Sequence, residues 1–357
     1  KIDEGRIDDI RECIGCNICV TGDMTQGMGR CTQNPTWMEE WRRGWHPEKI
    51  AAKGESQSVL IIGSGPAGLE AARAAALRGY DVAVAEALET YGGRVARERQ
   101  LPGLSAWGRV ADYRLYQLGQ RPNVQMYPGS RLTAEEVLAF GFQHICVATG
   151  STWRADGVAR QHVVPMPINA QTPIFTPDDL MAGRIPSGKV VVFDDDHYYM
   201  GGVLAELCAQ KGCDVTLVTP SAFVSDWTAN TLEQSQIHRR LAGLGITIKL
   251  NTGIAAVQAG AVETNCTYTD ARGLIECDAV VLVTSRTSDD SVFLDLMARQ
   301  GDWADAGIRS VKVIGDAAAP APIAWATHAG HRYARDLDAP DLGDALPFRR
   351  EVTQIED

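Results

Sequence analysis

Cys13, Cys16, Cys19 and Cys31 stand as C-x2-C-x2-C-x11-C within RECIGCNICVTGDMTQGMGRC. Thiolates are soft donors. Three at this spacing can wrap one compact centre, and the fourth can close it from a short loop. That is the ligand set of a [4Fe–4S] cluster, one thiolate per iron. Zinc is the rival reading, but it usually takes its ligands as two separated pairs rather than a triplet plus one. Gly15, Asn17, Gly27 and Gly29 suit a backbone that turns sharply and aims N–H groups at sulfur. A centre of this kind moves single electrons, so the chain reads as part of a redox relay.

A second chemical signal lies in SVLIIGSGPAGLEAARAAALRGYDVAVAEA. The β-branched run from Ser58 predicts a strand ending at Gly63. Gly63-Ser64-Gly65-Pro66-Ala67-Gly68 carries the G-x-G-x-x-G spacing, and an Ala/Leu-rich helix follows up to Gly79. A second strand, DVAVAE, ends in Glu86, followed by Ala87. This is the dinucleotide fingerprint with every flank in place. Gly63 permits the tight turn, Gly65 lets backbone approach a pyrophosphate at the helix N-terminus, and Gly68 allows close helix–strand packing. Glu86, 23 positions after Gly63, can accept hydrogen bonds from an adenosine ribose. Further along, Gly93-Arg94 follows the second strand, Ala148-Thr149-Gly150 ends HICVATG, and Gly315-Asp316 ends the strand of VKVIGD.

Between the last two lies GKVVVFDDDHYYMGGVLAELCAQKGCDVTLVTP, which has its own strand–loop–helix–strand rhythm. Asp194-Asp195-Asp196-His197-Tyr198-Tyr199 stands where the glycines should be. The carboxylates suit a helix N-terminus but repel a pyrophosphate, and the tyrosines block close approach. The segment reads as a Rossmann fold that does not bind NAD(P)H. The predicted class is α/β: an iron–sulfur module and linker over 1–55, then two Rossmann-like three-layer domains, the second inserted in the first. The dinucleotide domain takes 56–160 plus 284–357, and the insertion with its degenerate site takes 161–283.

At 357 residues, 45% hydrophobic and 22% charged, the composition is that of an ordinary soluble globular protein of two or three domains. A net charge of −11 argues against nucleic acid as a partner. No apolar run approaches the ~20 residues of a membrane span. Cys146, Cys208, Cys213, Cys266 and Cys277 read as buried free thiols, which suits a reducing cytoplasm. His328 and His331, at i and i+3, lack a third metal ligand and are not read as a metal pair. His197 reads as a surface-loop residue rather than a general base. Trp37 and Trp41 are spaced to share a helix face, and Arg42-Arg43 reads equally as contacts to a cofactor or as surface ion pairs. KIDEGRIDDIREC, which opens with neither Met nor cap, reads as the middle of a helix in a longer polypeptide.

CIGCNIC, CTQNP, EEWRRGWHPE, GSGPAGLEAA and VIGDA…PIA…T…GHR together resemble the C-terminal half of the trimethylamine, dimethylamine and histamine dehydrogenase family. The resemblance runs over essentially the whole chain. It implies an N-terminal (β/α)8 barrel with covalent FMN, absent here, that oxidises the amine. Electrons would pass singly through the cluster to an electron-transferring flavoprotein, and the enzyme would be a homodimer. It implies Cys13, Cys16, Cys19 and Cys31 as cluster ligands and Gly63–Gly68 as the pyrophosphate loop. Glu86 would be the ribose partner, and ADP the ligand ahead of FAD. No catalytic residue lies in this chain. The alternative is an NADPH-dependent enoate reductase of the 2,4-dienoyl-CoA reductase type, with FAD in the first domain. The substrate pocket belongs to the barrel, although GDMTQGMGRCTQNP leans towards the histamine-type members.

Overall fold

A computed structural model describes residues 1–22, 29–39, 45–46, 48–269 and 271–339. Gly27, Trp41, Arg42, Arg43 and the stretch beyond 339 lie outside the described residues. The chain divides into two compact units. The first comprises Lys1–Ala96, Trp107–Ser151 and Ser288–Asp357; the second comprises Arg97–Ala106 and Thr152–Thr287. Boundaries anticipated at 160/161 and 283/284 therefore fall at 151/152 and 287/288.

The first unit is built on a five-stranded parallel sheet. Its strands are β1 (Ser58–Ile62), β2 (Asp81–Ala85), β3 (Val124–Tyr127), β4 (His144–Val147) and, from far along the chain, β15 (Ser310–Val313). The spatial order is β15-β4-β1-β2-β3, so the crossover from β3 to β4 reverses direction beside β1. Val59, Leu60, Ile61 and Ile62 are all buried, as a central parallel strand covered on both faces requires. Helix α1 (Pro66–Arg78) opens with Pro66 in its first turn and stops at Gly79, which takes φ 96°. Helix α4 (Ile323–Asp336) lies across α1, and Gly330 allows it: a Cβ there would collide with the Ala67 carbonyl. Almost every residue of α1 is therefore buried, including Glu70 and Arg73.

The first 55 residues group with this unit rather than standing apart. Their last stretch is extended yet pinned. The Lys53 N–H donates to the Arg78 carbonyl (2.7 Å), the Gly54 N–H donates to Asp338 (3.1 Å), and the Arg78 guanidinium donates to the Ala51 carbonyl (3.1 Å). The opening segment is not helical. Gly5 takes φ 69°, and only Ile7–Asp9 forms a single 3-10 turn. Trp37 sits in a turn and is exposed.

In the second unit a parallel sheet has the order β6-β13-β7-β8-β9. Its strands are β6 (Ile174–Phe175), β7 (Lys189–Asp194), β8 (Asp214–Val218), β9 (Thr247–Lys249) and β13 (Ala279–Val283). Helix α3 (Tyr199–Gln210) connects β7 to β8. A three-stranded antiparallel sheet, β10 (Thr252–Gln258), β11 (Ala261–Cys266) and β12 (Arg272–Glu276), accompanies it. The strands β5 (Ser151–Trp153) and β14 (Arg286–Ser288) pair with each other where the chain passes between units, so both boundaries fall inside that ribbon.

Candidate functional site: a cysteine loop and a glycine loop on one unit

The cysteine segment folds as its small residues require. Gly15 and Asn17 take φ 71° and 51°, so the chain turns left-handed twice between Cys13 and Cys19. Backbone N–H groups then reach sulfur: Gly15 N–H donates to Cys13 Sγ and Asn34 N–H to Cys31 Sγ, both at 3.3 Å. The Thr32 hydroxyl meets Cys16 Sγ at 3.2 Å. Ile14 and Ile18 are buried and give the segment an apolar floor. Cys13 is exposed, while Cys16, Cys19 and Cys31 are half-buried. Burial pushes the Cys16 and Cys19 thiols up, and the neighbouring sulfurs add to it: Cys31 and Cys19 act on Cys16, and Cys31 and Cys13 act on Cys19. Cys16, Cys19 and Cys31 thus lie within electrostatic range of one another, and Cys13 within range of Cys19. Among the described residues, no three His, Cys, Asp or Glu side chains close on a point as the ligands of a single ion would. Sulfurs around a four-iron cube stand further apart than sulfurs at about 2.3 Å from one zinc. One exposed and three half-buried thiols, with backbone donors aimed at Cys13 and Cys31, fit such a cluster.

The glycine loop gathers the predicted residues at the C-terminal ends of β1, β2, β4 and β15, where open α/β sheets bind ligands. Gly63 takes φ 102°, and a Cβ there would press into the Ala148 carbonyl. A Cβ at Gly68 would run into the carbonyl of Gly63. Gly65 differs: among the described residues, nothing beyond its own chain neighbours lies within 4 Å of a Cβ built there. The cradle in front of Pro66 and Ala67 is open to something other than protein. Gly93 closes its rim, since a Cβ there would stand 2.9 Å from Gly65 Cα. Glu86 is buried, and its Oε2 accepts the Ser64 N–H (2.9 Å) and hydroxyl (2.6 Å). Its Oε1 accepts the Leu88 N–H at 3.0 Å, across Ala87. Glu86 therefore braces the loop itself.

On the far side, Thr149 Oγ1 donates to the Asp289 carbonyl, and Gly150 takes φ 87°. Gly315 is left-handed at φ 61°. Asp316 is already engaged. Its carboxylate accepts the Arg94 guanidinium, the Ser151 hydroxyl (3.0 Å) and the Ala321 N–H (3.1 Å). Ser151 and Ala321 were not legible as partners, because they lie 165 and 5 positions from Asp316 with no motif joining them.

In the second unit the corresponding junction is filled. Asp194 ends β7 fully buried, and its carboxyl lies against Gly201, in the first turn of α3. Its Oδ1 accepts the His197 N–H at 2.9 Å. Burial, with Asp196 next, raises Asp194 to about 7, and burial also pushes Asp196 up. His197, at φ 67°, pairs with Asp195 at 3.1 Å and is half-buried. Tyr198 stacks edge-on against Tyr199 and Trp227, at 4.7 and 4.8 Å. Side chains occupy the place that glycine leaves vacant in the first unit.

His328 and His331 face different carboxylates, Glu39 (3.2 Å) and Glu70 (3.1 Å), with the Trp45 ring stacked over His328 at 5.6 Å. Cys146, Cys208 and Cys277 are buried free thiols as anticipated, whereas Cys213 and Cys266 are only half-buried.

Residues 61–125 match the NAD(P)-binding Rossmann-like domain, and residues 175–279 match the OYE-like second alpha/beta domain. Over 98% of its length the chain is 40% identical to dimethylamine dehydrogenase of Hyphomicrobium sp. (strain x). It superimposes along its whole length on histamine dehydrogenase from Rhizobium sp. 4-9, with a TM-score of 0.96 and 69% identity. The chain belongs to the dimethylamine and histamine dehydrogenase family. A second solved structure, 6-hydroxypseudooxynicotine amine oxidase from Pseudomonas geniculata N1, covers 94% of the chain at 45% identity and a TM-score of 0.89. The chain spans only about half of these relatives: 51%, 55% and 50% of their lengths. Among its described residues, no helix is long and apolar enough to cross a membrane. Within the dimethylamine and histamine dehydrogenase family, this chain carries the cysteine loop and the glycine loop on one unit and the acidic loop on the other.

Proposed function

We propose that the chain is the electron-transfer portion of an FMN- and [4Fe–4S]-containing amine dehydrogenase, which oxidises a small amine of the histamine or methylamine type. The observation that carries this is the cysteine loop: Cys16, Cys19 and Cys31 within range of one another, Cys13 within range of Cys19, and backbone N–H groups already aimed at Cys13 and Cys31. Such a cluster, when bound by Cys13, Cys16, Cys19 and Cys31, accepts and gives up one electron at a time. The protein's own part is to hold four sulfurs in fixed positions, donate hydrogen bonds to them and bury them partly from water.

In the same reading, Gly63, Ser64, Gly65, Pro66, Ala67 and Gly68 cradle the pyrophosphate of ADP at the N-terminus of α1, with Glu86 and Ala87 at the ribose end. The pairing of Asp316 with Arg94 and Ser151 favours ADP over FAD, because the Gly315–Asp316 corner is engaged by protein. The filled junction at Asp194–Tyr199 favours an enzyme that does not draw hydride from NAD(P)H. Electrons then come from an FMN-bearing barrel and leave to an electron-transferring flavoprotein, in a homodimer. The 69% identity to histamine dehydrogenase supports histamine ahead of dimethylamine as substrate class.

The deciding experiment is the denaturing mass of the native polypeptide, read with the nucleotide released on unfolding. The expected result is a mass well above 38.6 kDa with a covalent flavin increment, and ADP in the supernatant. A mass near 38.6 kDa would make the chain a separate electron carrier. Released FAD, bleached by NADPH before unfolding, would favour the enoate reductase instead.

A further inference from the structure

We propose that Arg114 and Arg11 are positioning residues for the iron–sulfur site: they grip and polarise a peptide group whose N–H donates to Cys31, and so raise the cluster's reduction potential. The proposal rests on the cluster reading of the four cysteines.

The peptide between Gln33 and Asn34 is held from both ends. Its N–H donates to Cys31 Sγ at 3.3 Å. Its carbonyl accepts Arg114 Nη2 at 3.1 Å and Arg11 Nη1 at 3.2 Å. Arg114 also reaches the Gln33 side chain, with Nη1 3.2 Å from Oε1. Two guanidiniums on a carbonyl withdraw electron density from the amide and strengthen its N–H as a donor, an effect magnified in a dry interior. Hydrogen bonds to cluster sulfurs and nearby positive charge both favour the reduced cluster, and so raise its potential.

The grip is built, not incidental. Arg114, on helix α2 (Arg109–Gly119), has no exposed surface. Its Nε donates to Glu70 Oε2 at 2.8 Å, and Nη1 to the Val110 carbonyl at 2.8 Å. Glu70, equally buried, also accepts Arg73 (2.7 Å) and meets His331 Nδ1 at 3.1 Å. Burial alone would raise the Glu70 carboxyl, but Arg73 and Arg114 outweigh it and hold it well below its usual range. Burial likewise lowers Arg114, to about 10, which leaves it charged at neutral pH. One carboxylate thus faces two buried guanidiniums, and Arg11, stacked over the Tyr113 ring at 4.8 Å, adds a third cation at the same carbonyl. Because Glu70 sits on α1, the helix that opens at the glycine loop, the lock ties the cysteine loop to the nucleotide-binding element.

The test is a redox titration of the full-length holoenzyme, followed by the cluster's EPR signal, with iron and sulfide content and melting temperature measured alongside. Arg11→Met, at a half-buried position, is expected to keep cluster content and melting temperature while the midpoint potential shifts downwards. Arg114→Met is expected to lower the potential further and also lose stability and iron. Arg114→Lys, which keeps the charge but not the fork, should recover potential more than stability. Wild-type potential in Arg11→Met with a full cluster would overturn the proposal even if Arg114→Met fails to fold. Wild-type protein without a [4Fe–4S] signal would overturn the underlying cluster reading instead.

Discussion

The junctions after β1 and after β7 share one topology and reach opposite ends. After β1, Gly63–Gly68 carries only small side chains, and the space in front of Gly65 is open. After β7, Asp194 is buried against Gly201, and Tyr198 and Tyr199 form an aromatic cluster with Trp227. Both junctions keep the parallel strands and the covering helix, because those depend on apolar burial such as Val190–Phe193 and Val59–Ile62. What differs is only what stands at the helix N-terminus. In the first unit small residues stand before that partial positive charge; in the second a carboxyl of the protein itself occupies the approach. Architecture and binding are separable here. The strands and helices specify the fold, and a handful of loop residues decide whether anything binds to it.

The sharpest way to break this contrast lies within the first loop. Gly68→Ala places a methyl against the Gly63 carbonyl and should destabilise by about 3 kcal/mol or prevent folding. Gly65→Ala meets no protein atom, and Gly65 sits at φ −69°, which alanine accepts. Its stability should stay within about 0.5 kcal/mol of wild type. Yet the nucleotide released on denaturation should fall at least tenfold, about 1.4 kcal/mol in affinity. Melting temperature and chromatography of the released nucleotide check both. A Gly65→Ala protein that still carries stoichiometric ADP would mean the open cradle is not the phosphate site.

The second loop is sharpened by pH. Asp194 is raised from 3.8 to about 7, first by burial and then by Asp196. Between those values the native state holds a proton that the unfolded chain has released. Stability therefore falls as pH rises from about 4 to about 7, and levels off above. Asp194→Asn removes the ionisation and should flatten that part of the profile, leaving the variant the more stable at pH 8. Urea midpoints at pH 5 and pH 8 measure it. Equal slopes in both proteins would show that Asp194 is not a buried, proton-holding acid.

Sequence reading reached the first loop almost completely because its information is local. Strand, glycines, helix and Glu86 lie within one unbroken run, and each glycine has a steric reason visible in its spacing. It picked out the four cysteines of the cysteine loop for the same reason. It missed the grip on the Gln33 peptide, since Gln33 and Arg114 are 81 positions apart and Arg114 and Glu70 are 44 apart. One signal was available: Glu70 and Arg73 are charged residues inside an otherwise apolar, alanine-rich helix, and such a pair is suspect as a buried one. The opening KIDEGRIDDIREC misled because its charge pattern is helical while Gly5 is not. The antiparallel sheet of β10–β12 went unnoticed because TGIAAVQAGAVETNC alternates too weakly to announce strands.

The smallest expected effect asks whether the two units differ in anything besides their loops. Each starts a short helix with a capping box. Thr133 caps Ala134–Ala139 and exchanges hydrogen bonds with Glu136; Thr176 caps Pro177–Met181 and exchanges them with Asp179. Removing such a cap costs about 1 kcal/mol. Thr133 is exposed, so in Thr133→Ala water can take over the freed Glu136 N–H, and the loss should lie below that figure. Thr176 is buried, so Thr176→Ala removes a packed methyl together with the cap, although the Asp179 N–H keeps the Thr176 carbonyl at 3.0 Å, and the loss should lie above it. Chemical denaturation of both variants measures the difference. If burial governs these caps as it governs Asp194, Thr176→Ala is the more damaging of the two. If the two losses are equal, the units differ only in what their loops leave open.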